Sequence, residues 1–446
     1  MTNLKLFGTD GIRGTPGEGP LTSESIKKIA GGFATLIRKM ANGKKNPSVV
    51  LGKDTRASCT LLEQAIVSGL TDVGVDVQLL GVLPTAAVAY LTRHLKADGG
   101  IMVSASHNPS DENGIKFFIR TGEKLSEKEE EFVENNIGKR AERSRKGTMK
   151  TFAKAEAEYL AFLADSTGKP KLNGLSVMID AANGAAYQAA GIFTALGAAA
   201  TVINNKPDGT NINKECGAMH PQQLQDEVVR QKASCGIALD GDADRLVMAD
   251  EKGSILDGDA IILAMAKDML KRGQLAKNTV VVTEYTNTAF DDELEALGVK
   301  TARVQNGDKY VYEEMKKHGY TLGGEQSGHI IIGDNTTGDG VLAAIHILTL
   351  LKESGLPISK LTEFTKKPQA LINVEVKEKK ELSTLPLTSA AIAAAEKRLP
   401  QMKGRSLIRY SGTQNLLRIM LEGNNKEEVK SLAEEIAAAA KNEIGA

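Results

Sequence analysis

Apolar residues in this chain come in short runs, and longer amphipathic stretches separate them. Residues 48–51 read as a buried strand closed by a polar turn at 52–56; residues 60–74 read as a helix and 75–80 as the next strand. Residues 100–103 form a further strand pattern. Such a strand–helix–strand rhythm predicts an α/β fold with largely parallel sheets. The rhythm restarts at 175–179, which runs into Asp180, and recurs at 236–239 and 279–282. The last stretch differs: residues 370–376 alternate like a strand, 389–398 look helical, 416–421 look like a strand, and 425–444 read as a closing helix rich in Ala, Glu and Lys. That order is α+β and predicts a separate C-terminal domain from about residue 369. Residues 123–146 are highly charged, and the spacing of Phe132, Val133 and Ile137 predicts an amphipathic helix with a solvated face.

Length and composition narrow the class. At roughly 150 residues per domain, 446 residues predict about three domains, with four within reach. Hydrophobic residues at 41% and charged residues at 25% are ordinary for a globular chain. Lys plus Arg equals Asp plus Glu at 56 each, so the basic excess of a nucleic-acid binder is missing, although local basic pockets remain compatible with zero net charge. Trp is absent, which leaves little for base stacking. Cys59, Cys216 and Cys235 are too few and too scattered for a disulfide framework or a zinc site, and read as reduced thiols of a cytosolic protein. Residues 1–14 lack the apolar core of a signal peptide, and no stretch reaches the length of a membrane span. The expectation is a cytoplasmic protein with neither nucleic acid nor membrane as partner.

Five segments carry candidate chemistry. Ser104-Ala105-Ser106-His107-Asn108-Pro109 follows the apolar run 101–103. A hydroxyl at the end of a buried strand sits where α/β folds bind ligands, although Ser needs a base or a metal for activation. A plain Ser/Asn turn closing the strand fits the same residues. Asp240-Gly241-Asp242-Ala243-Asp244-Arg245 follows the apolar run 237–239 and places three carboxylates at alternate positions of an extended turn. Hard oxygen ligands of this kind suit magnesium shared with a substrate phosphate. A calcium loop competes, because Asp240, Asp242 and Asp244 occupy its first, third and fifth positions and Glu251 its twelfth; Arg245 stands where that loop needs Gly.

Gly323-Gly324-Glu325-Gln326-Ser327-Gly328-His329 offers several partners for sugar hydroxyls, and His329 can move protons. Arg409-Tyr410-Ser411-Gly412-Thr413, with Arg418, has the donors of a phosphate cradle but not the ending of a Walker loop. Gly8-Thr9-Asp10-Gly11-Ile12-Arg13-Gly14 lacks the glycine spacing of a dinucleotide site; Arg13 could hold a reacting phosphoryl group, with Lys53 and Arg56 adding charge nearby. A surface or capped turn remains an alternative for each of these.

Together and in this order, the segments resemble the α-D-phosphohexomutase family over essentially the whole chain. Within it the chain is most similar to the amino-sugar branch, through the Ser-Ala-Ser-His-Asn-Pro loop, residues 208–213 with Cys216-Gly217, Gln326 where glucose and mannose relatives often carry Met, and residues 336–340. The resemblance implies an α/β fold of four domains around a central cleft: three related αβα units, at 1–155, 156–256 and 257–368, and a C-terminal α+β phosphate-binding unit at 369–446. It implies a phosphoserine at Ser106 and one magnesium ion held by Ser106, Asp240, Asp242 and Asp244. Lys116 and His329 match positions of proton transfer, and Arg13 completes the expected catalytic set by holding the reacting phosphoryl group. Arg245, Glu325 and Ser327 would contact the sugar, and Arg409, Ser411, Gly412, Thr413 and Arg418 the non-reacting phosphate.

The implied reaction converts glucosamine 6-phosphate to glucosamine 1-phosphate, a precursor for amino-sugar nucleotides and the cell wall. A sugar 1,6-bisphosphate would serve as activator and the enzyme as a monomer or homodimer. A glucose or mannose phosphate mutase, a magnesium-dependent sugar phosphatase and a non-catalytic phosphosugar binder are the alternatives. Two departures stand out. The phosphate loop continues Thr413-Gln414-Asn415 where the family usually has Thr-Glu-Pro, and Gly307-Asp308-Lys309 replaces a common Gly-Asp-Arg, keeping the charge but losing the planar fork.

Overall fold

A computed structural model describes residues 6–8, 10–41, 46–139, 145–411 and 415–446. Thr9, Gly412, Thr413 and Gln414, singled out above, lie outside the described residues. The chain divides into two compact units, residues 1–283 with 301–363 and residues 284–300 with 364–446.

The first unit contains three sheets of one design. In the first, the parallel strands Ser48–Lys53, Asp76–Val82 and Gly99–Val103 are followed by Asn113–Ile119, which returns antiparallel to Gly99–Val103. In the second, Ser176–Asp180, Ala199–Ile203 and Cys235–Leu239 are parallel, and Leu246–Ala249 returns antiparallel to Cys235–Leu239. In the third, Thr279–Thr283 and Leu322–Gly324 are parallel, and Ile330–Ile332 returns antiparallel to Leu322–Gly324. The loops 104–112, 240–245 and 325–329 are therefore topologically equivalent: each joins the last parallel strand to its antiparallel return. The strands Gly99–Val103 and Cys235–Leu239 are buried at every residue, as parallel strands covered on both faces must be.

Among its described residues, the charged segment 123–146 is helical over Glu127–Asn135. Ser126 and Glu129 form a capping box at its start, and Asn136 ends it. Val133 is buried, with Phe132 and Ile137 packed on the first core. The segment Ile12–Gly14 is itself an edge strand paired with Asn113–Ile119. Gly11 is required there: at φ +81° a Cβ would stand 2.4 Å from the carbonyl oxygen of Ile115.

The second unit holds the antiparallel sheet Gln369–Glu375, Leu416–Glu422 and Arg405–Tyr410, with Leu416–Glu422 central. Val374, Leu417, Ile419 and Leu421 pack against Val429, Leu432 and Ile436 of the helix Lys426–Ile444, whose N-cap is Asn425. This is the α+β order expected from the sequence.

Candidate active site

The backbone turns sharply at Ser106, where φ is +53°. Such a conformation is costly for a residue with a Cβ and persists only where its surroundings enforce it. Arg56 is the main enforcer. Its buried guanidinium donates from Nη2 to the carbonyls of Ser106 (3.0 Å) and Asn108 (2.8 Å), and from Nη1 to those of Glu112 (3.0 Å) and Pro109. Its Nε donates to Asp54 Oδ2 at 2.9 Å, which also accepts the Ser104 hydroxyl at 2.7 Å. Ser104 Oγ in turn accepts the Ser106 N–H at 2.9 Å. Arg56 thus holds the serine loop by its carbonyls, whereas Lys53 is paired with Glu63 at 2.9 Å. Arg13 adds a second grip, donating to Ala105 O at 3.0 Å and to Asn108 Oδ1 at 3.2 Å.

The serine and acidic loops meet closely. Ser106 Oγ donates to Asp240 Oδ2 at 2.6 Å. A Cβ on Gly241 would lie 2.5 Å from the carbonyl oxygen of Ser106, so only glycine admits this approach. Asn213 donates to the same carbonyl at 2.9 Å.

Asp240, Asp242 and Asp244 are buried, and one ligand oxygen from each lies within 4.8 Å of the others. Asp242 Oδ1 and Asp244 Oδ1 are buried without a hydrogen-bond partner. Burial and then the neighbouring carboxylates of Asp244 and Asp242 push the Asp240 carboxyl up to about 8. Three buried carboxylates with unmatched oxygens fit a hard divalent cation, so this triad could hold a metal ion. The Asp242 side chain also accepts the Thr85 hydroxyl, and the Thr85 N–H donates to the Asp242 carbonyl at 3.0 Å.

Lys116 reaches the outer side of the triad. Its Nζ stands 2.8 Å from Asp242 Oδ2, 3.1 Å from Asp244 Oδ2 and 2.9 Å from Asp10 Oδ2. Burial opposes its charge, but Asp10, Asp242 and Asp244 outweigh it and hold the pKa well above the ordinary lysine value. His329 Nδ1 lies 3.7 Å from Asp244 Oδ2 and its Nε2 lies 3.5 Å from Asp308 Oδ2. Burial again opposes the charged form, and Asp244 and Asp308 raise the pKa above 6.5. The Gly338 N–H donates to Nε2 at 2.8 Å, favouring the ring with its proton on Nδ1. His107 behaves oppositely: burial, then Arg245 and Arg13, lower it to about 4, leaving a neutral ring 3.3 Å from Ser106 Oγ.

The third loop joins the same site through the isolated bridge between Arg245 and His329. Glu325 Oε1 accepts the Gly307 N–H at 2.9 Å, and Ser327 Oγ donates to Glu325 Oε2 at 3.2 Å. The first unit therefore brings together Ser106, Lys116, Asp240, Asp242, Asp244, Arg245, Glu325, Ser327, His329 and Arg13. Asp54, Ser104, Thr85, Asp10 and Asp308 were not assigned from sequence, and Arg56 was given a different role. The polar turn at the end of the strand Ser48–Lys53 was the one local signal for Arg56.

Arg409, Ser411 and Arg418 belong to the second unit. Arg409 and Arg418 are cross-strand partners on one face of its sheet, beside Asn373. The Nε atoms of both arginines are buried without a hydrogen-bond partner, and the Arg409 guanidinium lies 5.4 Å from the Tyr285 ring centroid. The Ser411 carbonyl accepts Lys379 Nζ at 2.7 Å.

All four domain models of one family match the chain. They are phosphoglucomutase/phosphomannomutase alpha/beta/alpha domain I at residues 4–144, domain II at 157–253, domain III at 257–367 and the C-terminal domain at 371–439. The chain belongs to the phosphoglucomutase/phosphomannomutase family and has its four-domain fold; it is a mutase, an enzyme of the isomerase class. Two similar relatives are named phosphoglucosamine mutase. The one from Anaeromyxobacter sp. (strain Fw109-5) is 43% identical over 455 residues, covering 99% of this chain and 96% of the relative. The one from Myxococcus xanthus (strain DK1622) is 44% identical over 449 residues, covering 98% and 97%. Among solved structures, a phosphoglucomutase/phosphomannomutase family protein from Burkholderia thailandensis has the same fold, with a TM-score of 0.82 at 23% identity over 99% of this chain and 98% of that one. Aspergillus fumigatus N-acetylphosphoglucosamine mutase in complex with GlcNAc-6P and magnesium gives a TM-score of 0.68 at 19% identity over 98% and 95%.

Proposed function

We propose that this mutase interconverts glucosamine 6-phosphate and glucosamine 1-phosphate through a phosphoserine at Ser106 and a bisphosphorylated sugar. The 2.6 Å contact between Ser106 Oγ and Asp240 carries the reading, because it puts a hydroxyl against the acidic triad. The names of relatives sharing 43–44% of the sequence support the amino sugar.

Asp240, Asp242 and Asp244, with phosphorylated Ser106, would hold one Mg²⁺; when bound, it offsets charge on the transferring phosphoryl group. The Oγ–P bond of phosphoserine breaks as a free sugar hydroxyl forms its own bond to phosphorus and gives its proton to the His329 imidazole, while Lys116, held as an ammonium by Asp10, Asp242 and Asp244, offsets charge beside the reacting groups. The sugar bisphosphate then turns end for end, and its other phosphoryl group returns to Ser106. Arg13 steadies the serine loop during transfer. Arg245, Glu325 and Ser327 orient the sugar hydroxyls. Arg409, Ser411 and Arg418, with Gly412 and Thr413, hold the phosphate that is not reacting, in either orientation. A sugar 1,6-bisphosphate would restore the phosphoserine when it is lost. The working domain boundaries are 1–155, 156–256, 257–368 and 369–446. Three unpaired cysteines favour the cytoplasm.

The test is a substrate panel of glucosamine, glucose and mannose phosphates, with bisphosphate activator, for the wild type and Ser106→Ala. Glucosamine phosphate is expected to turn over fastest, and the alanine variant to lose isomerisation while its melting curve stays the same. Undiminished isomerisation by the variant rejects the phosphoserine, and release of free phosphate in place of isomer rejects the mutase cycle.

A further inference from the structure

One buried cation in the site has no part in the reaction above. Lys124 follows the strand Asn113–Ile119 after a tight turn, and its side chain is only 14% exposed. Its Nζ lies 2.6 Å from Asp10 Oδ1 and also contacts Asp308 Oδ2. Asp10 carries Lys116 on its other oxygen, at 2.9 Å. Asp308 faces His329 Nε2 at 3.5 Å. Lys116 and His329 then meet at Asp244 Oδ2, at 3.1 and 3.7 Å. Lys124, Asp10, Lys116, Asp244, His329 and Asp308 thus close a ring in which acid and base alternate.

Of the two proton-carrying side chains in this ring, Lys116 is held by Asp10 at 2.9 Å, and His329 faces Asp308 across 3.5 Å as a charge. Lys124 is the group that ties those carboxylates together. We propose that Lys124 is a positioning residue for the mutase reaction, clamping Asp10 to Asp308 and so fixing Lys116 and His329 relative to each other and to Ser106. This inference rests on the roles proposed above for Ser106, Lys116 and His329. Without the ammonium, Asp10 keeps Lys116 and Arg13, the latter at 2.8 Å. Asp308 keeps His329 at 3.5 Å, too long for a hydrogen bond that would anchor the ring. Asp10 would then lose one of three cations, whereas Asp308, its side chain 11% exposed, would keep no close one and would drift from its place opposite His329. A cavity of about 20 Å³ beside Lys124, lined also by Asp10, Lys116, Glu130 and Lys309, is room for about one water. The same space can take the larger head of an arginine.

The experiment compares Lys124→Met and Lys124→Arg in the full chain by steady-state kinetics with bisphosphate activator. The Met variant is expected to lose about tenfold or more in kcat, within the range of general acid–base effects. Its KM should move by less than about threefold, because a positioning role gives Lys124 no contact with the substrate. The Arg variant, which retains the charge and both carboxylate partners, should recover kcat to within about threefold of wild type. A Met variant with wild-type kcat, a loss confined to KM, or an Arg variant as slow as Met at equal folded fraction would overturn the proposal. If the Met variant does not fold, Asp308→Asn takes its place: it should show the same loss in kcat, and wild-type kcat would overturn the clamp. Ser106→Ala in parallel separates the two levels. Activity in that variant overturns both readings, whereas its inactivity beside a fully active Lys124→Met overturns only the role of Lys124.

Discussion

The hydroxyl of Ser106 and the carboxylate of Asp240 are 134 residues apart in sequence and 2.6 Å apart in space. Two topologically equivalent loops from separate sheets produce that contact, and Arg56 and Gly241 shape it from opposite sides. Arg56 fixes the serine turn by its carbonyls, and Gly241 lets the acidic loop come against it.

Gly241→Ala should therefore act on the contact rather than on either loop alone. The added methyl meets backbone, which cannot swing aside like a flexible side chain. A stability loss of about 1–3 kcal/mol is expected from overpacking. Activity should fall further than the unfolded fraction explains, because Ser106 and Asp240 are pushed apart. Urea denaturation with kinetics at the same temperature checks both; full specific activity of the folded fraction would contradict it.

Asp242→Asn removes one charge from the triad and leaves Lys116 balanced by Asp10 and Asp244 alone. The proposed metal role predicts weaker Mg²⁺ activation and a loss on the order of 10²-fold in kcat/KM at fixed metal concentration, since Lewis-acid stabilisation is worth several kcal/mol. A titration of activity against Mg²⁺ reads this directly. An unchanged titration curve would rule the residue out as a ligand.

Asp339 supplies a prediction about stability against pH. Its carboxylate caps the helix Gly340–Ser354, accepting from Leu342 N at 2.9 Å, and takes the Tyr159 hydroxyl at 3.0 and 2.9 Å. Burial raises its pKa from 3.8 to about 6, despite the hydrogen bonds that favour the charge. The folded form holds the proton more tightly than the unfolded chain, so the stability gained is complete below about pH 4 and is lost as pH rises through about 6. Asp339→Asn keeps a capping oxygen and lacks the titration. Relative to wild type it should gain about 1.4 kcal/mol per pH unit across that window and little above it. Denaturant melts at pH 4, 5, 6 and 7 test this, and parallel stability profiles would refute it.

Tyr285 underlies Arg409 in the second unit. If Arg409 holds the non-reacting phosphate, Tyr285→Leu should raise KM about two- to fivefold with little change in kcat, matching the roughly 0.5–1 kcal/mol of a cation–π contact. Kinetics of Tyr285→Phe, which keeps the ring, should lie close to wild type. Equal KM values in all three proteins would remove Tyr285 from the cradle.

The sequence alone determined where the strands before the first two loops end, at Val103 and Leu239, whereas the short strand Leu322–Gly324 before the third loop was not legible. Runs such as 101–103 and 237–239 are apolar enough to be buried, and the polar residues after them have nowhere to go but the strand terminus. The triad was legible as a candidate for the same local reason, since alternate carboxylates gathered at the end of a buried strand call for a cation once they are buried together. The charged stretch after the first sheet was overread as a longer helix, because amphipathic spacing extended past the cap at Asn136. What only the tertiary structure decided is the partnership of groups distant in the chain. Thr85 with Asp242 is separated by 157 residues and Lys124 with Asp308 by 184. Arg56 read locally as a free positive charge and proved to be a buried clamp on backbone carbonyls. Periodicity records which face of an element is buried, but the way three sheets pack sets which charges are buried together, and no short-range pattern encodes that.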